Sequence, residues 1–186
     1  MPGRVLNARS GLIVGPYDPT NRFTYWPARI AKGGEVLCPD TPEFPVQIVH
    51  AADQARWILH MLETDQMGDF NVASDQGAYT IHDLFTAAIE ATSSSATPTY
   101  APSSFLLAQE VAPWMELPLW LTESHINMSL VSAKKGTDSG LKLMPLTEVV
   151  KSTLDWFNNE PVKEWPAGLA AEREQKLLAA LKTWQQ

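Results

Sequence analysis

Within eight residues, Arg22 and Arg29 bracket the ring pair Tyr25-Trp26. Two guanidinium forks at that spacing could clamp an anionic or polar group through paired N–H donors. The two rings could supply an apolar wall or a stacking face. Gln47 and Arg56 are further polar candidates. Each has an ordinary alternative: surface arginines are commonly solvated, and Phe23, Tyr25 and Trp26 could equally be core. The single cysteine, Cys38, has no basic neighbour in sequence to activate it, so it reads as a small side chain in a loop before Pro39. His50 and Asp53 stand three apart but straddle a strand–helix junction without a third ligand, and no metal site is expected. No Gly-x-Ser-x-Gly motif points to a hydrolase.

The 186 residues carry a net charge of -7, with 45% apolar and 19% charged side chains. That balance suits one soluble domain with an appended element. It excludes a nucleic-acid binder, since phosphate contacts need clustered Lys and Arg and the longest run here is Lys134-Lys135. One cysteine allows no internal disulfide, which suits a reducing compartment. No apolar run approaches the ~18 residues that span a bilayer, and Met-Pro-Gly-Arg does not build a signal peptide. A cytoplasmic location without membrane contact is the expectation.

Strand patterns alternate with helical ones. Residues 4–14 end in Leu12-Ile13-Val14, a run expected to be buried on both faces as in a parallel sheet, and Gly15-Pro16 stops it. A short helix follows with Pro27 at its first position, ended by Gly33-Gly34. Val46–His50 alternates as a strand. Ala52–Glu63 takes helical period with Ala55, Ile58, Leu59 and Leu62 on the apolar face. Asp69–Ala73 is a strand, and Thr80-Ile81-His82-Asp83 resembles a capping box opening a helix. Thr97–Ala101 is a strand, Phe105–Leu107 starts a helix, and Pro113–Leu121 is aromatic and broken by proline. That segment reads as packing on the sheet, as a lid, or as an apolar patch. Helices are expected at Leu146–Phe157 and over Ala167–Trp184. The class is α/β with a parallel sheet.

Four segments in this order resemble the extended short-chain dehydrogenase/reductase family, which includes the NAD-dependent epimerases and dehydratases. They are Arg9–Pro16, with Ser10 where the family usually has proline; Val46–Ala55; Gly68–Ala73 with Thr80–Leu84; and Ser132–Lys135 with Leu141–Phe157. The resemblance covers residues 4–157. It implies the C-terminal portion of a Rossmann-like parallel sheet with packed helices and a small substrate subdomain. Residues 1–160 would be this half and residues 161–186 a C-terminal helical extension.

The family binds NAD or NADP on a glycine-rich turn and uses a Tyr-x-x-x-Lys pair, both upstream of the Arg9–Pro16 segment. This sequence has neither. Its tyrosines give Tyr17…Asn21, Tyr25…Arg29, Tyr79…Asp83 and Tyr100…Ser104, and an arginine cannot replace the lysine's tunable charge. No catalytic residue is therefore assigned. By the resemblance, Gly15 and Pro16 form a loop beneath the nicotinamide ribose, and Arg22, Tyr25, Trp26, Arg29 and Gln47 face the substrate. The implied function is the substrate-binding half of an NAD(P)-dependent epimerase, dehydratase or reductase. It would be inactive alone and would hold no cofactor tightly. Its partners would be a small-molecule substrate and an N-terminal Rossmann portion or a second copy of itself. The alternative is a free-standing, non-catalytic binding or scaffold protein that oligomerises.

Overall fold

The computed structural model describes residues 3–39, 41–160 and 166–184. The described residues form eight strands: β1 Leu6–Ser10, β2 Leu12–Val14, β3 Glu35–Pro39, β4 Pro45–Val46, β5 Ile48–His50, β6 Gly68–Val72, β7 Tyr79–Thr80 and β8 Thr97–Ala101. The helices are α1 Tyr25–Ala31, α2 Ala51–Glu63, α3 Ile81–Thr92, α4 Ser103–Ala108, α5 Lys134–Asp138, α6 Leu146–Asn159 and α7 Ala171–Trp184, with a 3-10 turn at Glu123–Ser129. The molecule is an α/β protein with a Rossmann-like arrangement of parallel strands.

The strand predicted over residues 4–14 is one line that changes partner. β1 pairs in parallel with β6, Ala8 opposite Phe70, and β2 pairs in parallel with β5, Ile13 opposite Val49. The switch occurs at Gly11, whose N–H bonds the Val72 carbonyl at 3.0 Å. A Cβ there would stand 2.9 Å from that of Ala73, so only glycine lets the strands approach so closely. The expected burial on both faces is not found. Val14 is buried, but Ile13 is 43% exposed and Asn7 and Arg9 are open. Alternation decides this. Leu6, Ala8, Leu12 and Val14 point to one side, and Asn7, Arg9 and Ile13 to the other.

Elsewhere β3 and β8 pair in parallel, and β4 and β7 pair antiparallel through Pro45–Thr80 and Val46–Tyr79. The Val46–His50 strand is thus broken at Gln47 into β4 and β5. The main core packs α1, α3 and α6 with β3 around Phe23, Trp26, Ile30, Leu84, Phe85 and Val150. A smaller core lies between α2 and β6, built by Val49, Trp57, Met61, Phe70, Val72 and Leu141.

Local signals act as the sequence implies at several ends. The Thr80 hydroxyl accepts from the Asp83 N–H at 3.1 Å while the Asp83 carboxylate accepts from the Thr80 N–H at 2.8 Å, a complete capping box. Three corrections stand beside it. Pro27 occupies the third position of α1, which is tolerated because the first three helical N–H groups have no partner inside the helix. Helix α2 buries Asp53, Trp57 and Met61, leaving Leu59 59% and Leu62 53% exposed. Apolar residues lie nearly all round this helix, so period alone did not fix its face; the larger Trp57 took the core side. Cys38 is not in a loop but is fully buried in β3, where burial and the nearby Glu174 carboxylate push its thiol well above the usual range.

The Pro113–Leu121 segment is packing, with Leu117, Leu119, Trp120 and Leu121 buried. The Trp120 indole donates to the Ser103 hydroxyl at 3.2 Å. The expected boundary between residues 160 and 161 adjoins 161–165, outside the described residues. Beyond it, α7 sets Leu177, Leu178 and Leu181 into the main core.

Candidate functional site

The loop of residues 15–24 leaves the end of β2 and enters α1. It begins at a forced conformation: Gly15 has φ +115°, and a Cβ would fall 2.6 Å from His50 Nε2. His50 caps α2, its Nδ1 accepting the Ala52 N–H at 3.2 Å. That bond leaves the proton on Nε2, which donates to the Ser152 hydroxyl at 3.1 Å; Ser152 in turn donates to the Val149 carbonyl at 3.0 Å. Burial holds the His50 pKa below its usual 6.5, against the pull of Asp53. Asp53, buried at the start of α2, accepts from Arg56 and from the Met144 N–H, the latter at 2.7 Å.

The loop is polar and partly buried. Asp18 is 8% exposed; its Oδ1 accepts the Thr20 N–H and hydroxyl at 2.8 and 2.7 Å, closing a tight turn. Its Oδ2, the Thr24 hydroxyl, Gln54 Oε1 and Trp156 Nε1 are buried without a hydrogen-bond partner. Folded proteins rarely leave such groups orphaned, because each forfeits about 1–3 kcal/mol of hydration. Tyr17, 77% exposed, rests its ring 5.7 Å from that of Trp156. Arg22 donates to the Trp114 carbonyl at 3.3 Å and lies over the Trp114 ring at 5.7 Å. This gathers Gly15, Pro16, Tyr17, Asp18, Arg22, Trp114 and Trp156 as one candidate site.

The other sequence-predicted residues have settled partners. Trp26 is fully buried and donates to the Pro118 carbonyl at 2.9 Å. Gln47 ties three stretches of chain together: its Nε2 donates to the Ser74 and Val131 carbonyls at 2.8 and 2.6 Å, and its Oε1 accepts the Val131 N–H at 2.9 Å. Arg29 donates to Glu174 at 2.6 Å and to the carbonyls of Gly33 and Glu35 at 3.0 and 2.7 Å. Arg22 and Arg29 therefore do not form one clamp; they turn to Trp114 and to α7 respectively. Sequence reading weighed His50 only as a metal ligand and missed Ser152, Asp18 and Trp156. The turn chemistry of Asp18-Pro19-Thr20-Asn21 so soon after Gly15-Pro16 could have flagged Asp18, whereas Trp156 arrives from α6, remote in sequence.

Among the described residues, the Gly15 loop does not form a pyrophosphate cradle. A pyrophosphate cradle needs a glycine turn running directly from a strand into a helix N-terminus. Here residues 15–24 separate β2 from α1, and the short α1 opens with bulky, buried Tyr25 and Trp26. Among the described residues no three His, Cys, Asp or Glu side chains gather to hold a metal ion, and no helix is long and apolar enough to cross a membrane.

No family model matches the sequence, and no curated protein is close enough in sequence to count as a match. Solved structures do match in fold. UDP-glucose 4-epimerase from Thermotoga maritima, solved with UDP-glucose, superposes with TM-score 0.55 at 21% identity over 81% of this chain and 45% of its own. UDP-glucose 4-epimerase from Thermus thermophilus, in complex with NAD, gives 0.54 at 20% over 83% and 46%. A GDP-L-fucose synthetase from Naegleria fowleri bound to NADP gives 0.58 at 11% over 86% and 46%. The chain thus shares the fold of part of these two epimerases and this synthetase, and spans under half the length of each.

Proposed function

We propose that this chain supplies the substrate-side half of an NAD(P)-dependent epimerase, dehydratase or reductase and carries no redox chemistry by itself. The observation that carries this reading is the loop 15–24, where an Asp18 carboxylate oxygen and the Thr24 hydroxyl are buried without partners, and where the Tyr17 ring lies 5.7 Å from that of Trp156, whose indole N–H lacks a partner too. A ligand or a covering half would satisfy them. Gly15 and Pro16 would back the nicotinamide ribose. Arg22 is the cation placed to meet an anionic substrate group, and UDP-glucose in the Thermotoga relative makes a nucleotide sugar the favoured class. Tyr25 lines a separate space between α1 and α7 and is not proposed as a substrate contact; Trp26 and Arg29 hold α1 from behind, and Gln47 ties the β4–β5 junction to residues 74 and 131. The dinucleotide-binding half would come from a partner segment, in this chain's own polypeptide or another.

Calorimetric titration tests the reading. UDP-glucose is expected to give saturable heat that Arg22→Ala removes, while NAD(H) and NADP(H) give none at millimolar concentration. Saturable binding of either dinucleotide would overturn the claim that the redox site lies elsewhere. Absence of UDP-glucose binding would favour the second reading, a non-catalytic scaffold. That reading draws on the internal partners already satisfying Gln47 and Arg29.

A further inference from the structure

A cavity of about 930 Å³ lies between α1 and α7, away from the loop just described: none of Gly15, Pro16, Asp18 or Arg22 lines it. Its volume is that of a small-molecule site. Its walls are cut from small residues, Ala28 on α1, Gly33 and Gly34 after it, Gly168 before α7 and Ala179 on α7. The space opens to solvent past the exposed Lys32, Gly34 and Ala179. Glycine lets the chain before α7 pack directly on the Tyr25 ring. Gly168 has φ +112°, and a Cβ there would strike the Tyr25 ring at 2.2 Å.

Tyr25 gives the cavity its chemistry. It is 96% buried, lines the space, and its hydroxyl makes no hydrogen bond of ordinary geometry. Burial, then the adjacent Glu174 carboxylate, push its pKa well above the usual range, so it stays a neutral donor. Arg29 and Glu174 also line the cavity but neutralise each other at 2.6 Å. The exposed Lys32 stands among the lining residues.

We propose that the space between α1 and α7 is a second ligand site, distinct from the candidate substrate site, for a compact molecule with an apolar body and one hydrogen-bond acceptor for Tyr25 Oη. The small residues take the apolar body, Tyr25 supplies direction, and Lys32 suits an acidic group at the mouth.

Anilinonaphthalene sulfonate, apolar with an acceptor group, is the probe, titrated into the full chain by fluorescence. One saturable site per chain is expected, with amide resonances of Gly33, Gly34 and Gly168 moving in step. Saturation with shifts confined elsewhere, or no saturable signal, would overturn the site. Ala179→Trp enters from an exposed position and fills the cavity; it is expected to weaken the probe at least about tenfold, and unchanged affinity counts against the proposal. Tyr25→Phe is expected to weaken it about fivefold, the worth of one hydrogen bond. Leu59→Glu, on the exposed face of α2, is expected to leave binding unchanged; loss there would place the probe on general apolar surface instead. The UDP-glucose titration reads the other site, so either proposal can fail alone.

Discussion

At the scale of single residues, polar groups that the sequence offers to a ligand are mostly claimed by the protein itself. Every side-chain nitrogen of Arg29 and Gln47 donates to backbone or carboxylate. His50 shows how tightly one side chain can be drawn in: it caps α2, fills the space against Gly15 and reaches α6 through Ser152. Its neutral form is the one the fold holds. The unfolded chain protonates His50 near 6.5 and the folded chain only at lower pH, so stability is full above 6.5 and falls as pH drops through the interval between the two. Urea unfolding midpoints measured between pH 7.5 and 5 are expected to fall less steeply for His50→Asn than for the parent, since asparagine keeps a capping acceptor without titrating. Equal slopes would mean that His50 is not the group responsible.

At the scale of elements, α7 is tied to the sheet by one buried carboxylate. Glu174 is 2% exposed, bonds Arg29 at 2.6 Å and accepts the Leu37 N–H of β3 at 3.0 Å. Glu174 lies in the first turn of α7, where an acid suits the helix dipole, and its position opposite β3 also makes it a plug for a strand N–H. Removing one member of a buried ion pair strands the other, at about 3–5 kcal/mol. Glu174→Gln keeps the shape and one acceptor, and is expected to cost about 2–4 kcal/mol in chemical unfolding. A loss under about 0.5 kcal/mol would show that α7 is held by its leucines alone. The capping box of α3 and the glycine end of α1 were readable because both depend on neighbours within four residues. The face of α2 was not, because Leu59 and Leu62 are as apolar as Trp57 and Met61, and only the sheet beside the helix distinguishes them.

At the scale of the whole molecule, the strand line through β1 and β2 has partners on one side only among the described residues. Val5 is 50% exposed and Ile13 43%, on the same line, and α2 presents Leu59 and Leu62. Unpaired strand edges and exposed apolar side chains favour association. Light scattering at micromolar concentration is expected to show a dimer or larger species, shifted toward monomer by Ile13→Glu. A clean monomer of the parent chain would overturn this. Under the proposed function, the rest of such a fold would cover the same surface.

Sequence alone determined the α/β class, the βα alternation, the capping box at Thr80–Asp83, and the turns at Gly15 and Gly33, because each is set by local sterics or by the period of apolar residues. It also set the resemblance to the epimerase-like enzymes, whose fold the solved structures share. Tertiary structure alone decided that Arg22 and Arg29 part company, that Glu174 reaches Leu37 across 137 residues, that Trp156 joins the Gly15 loop, and that small residues on α1 and α7 face a common cavity. Those juxtapositions depend on how distant elements pack, and no spacing along the chain encodes the distance between two helices that meet only in the folded protein.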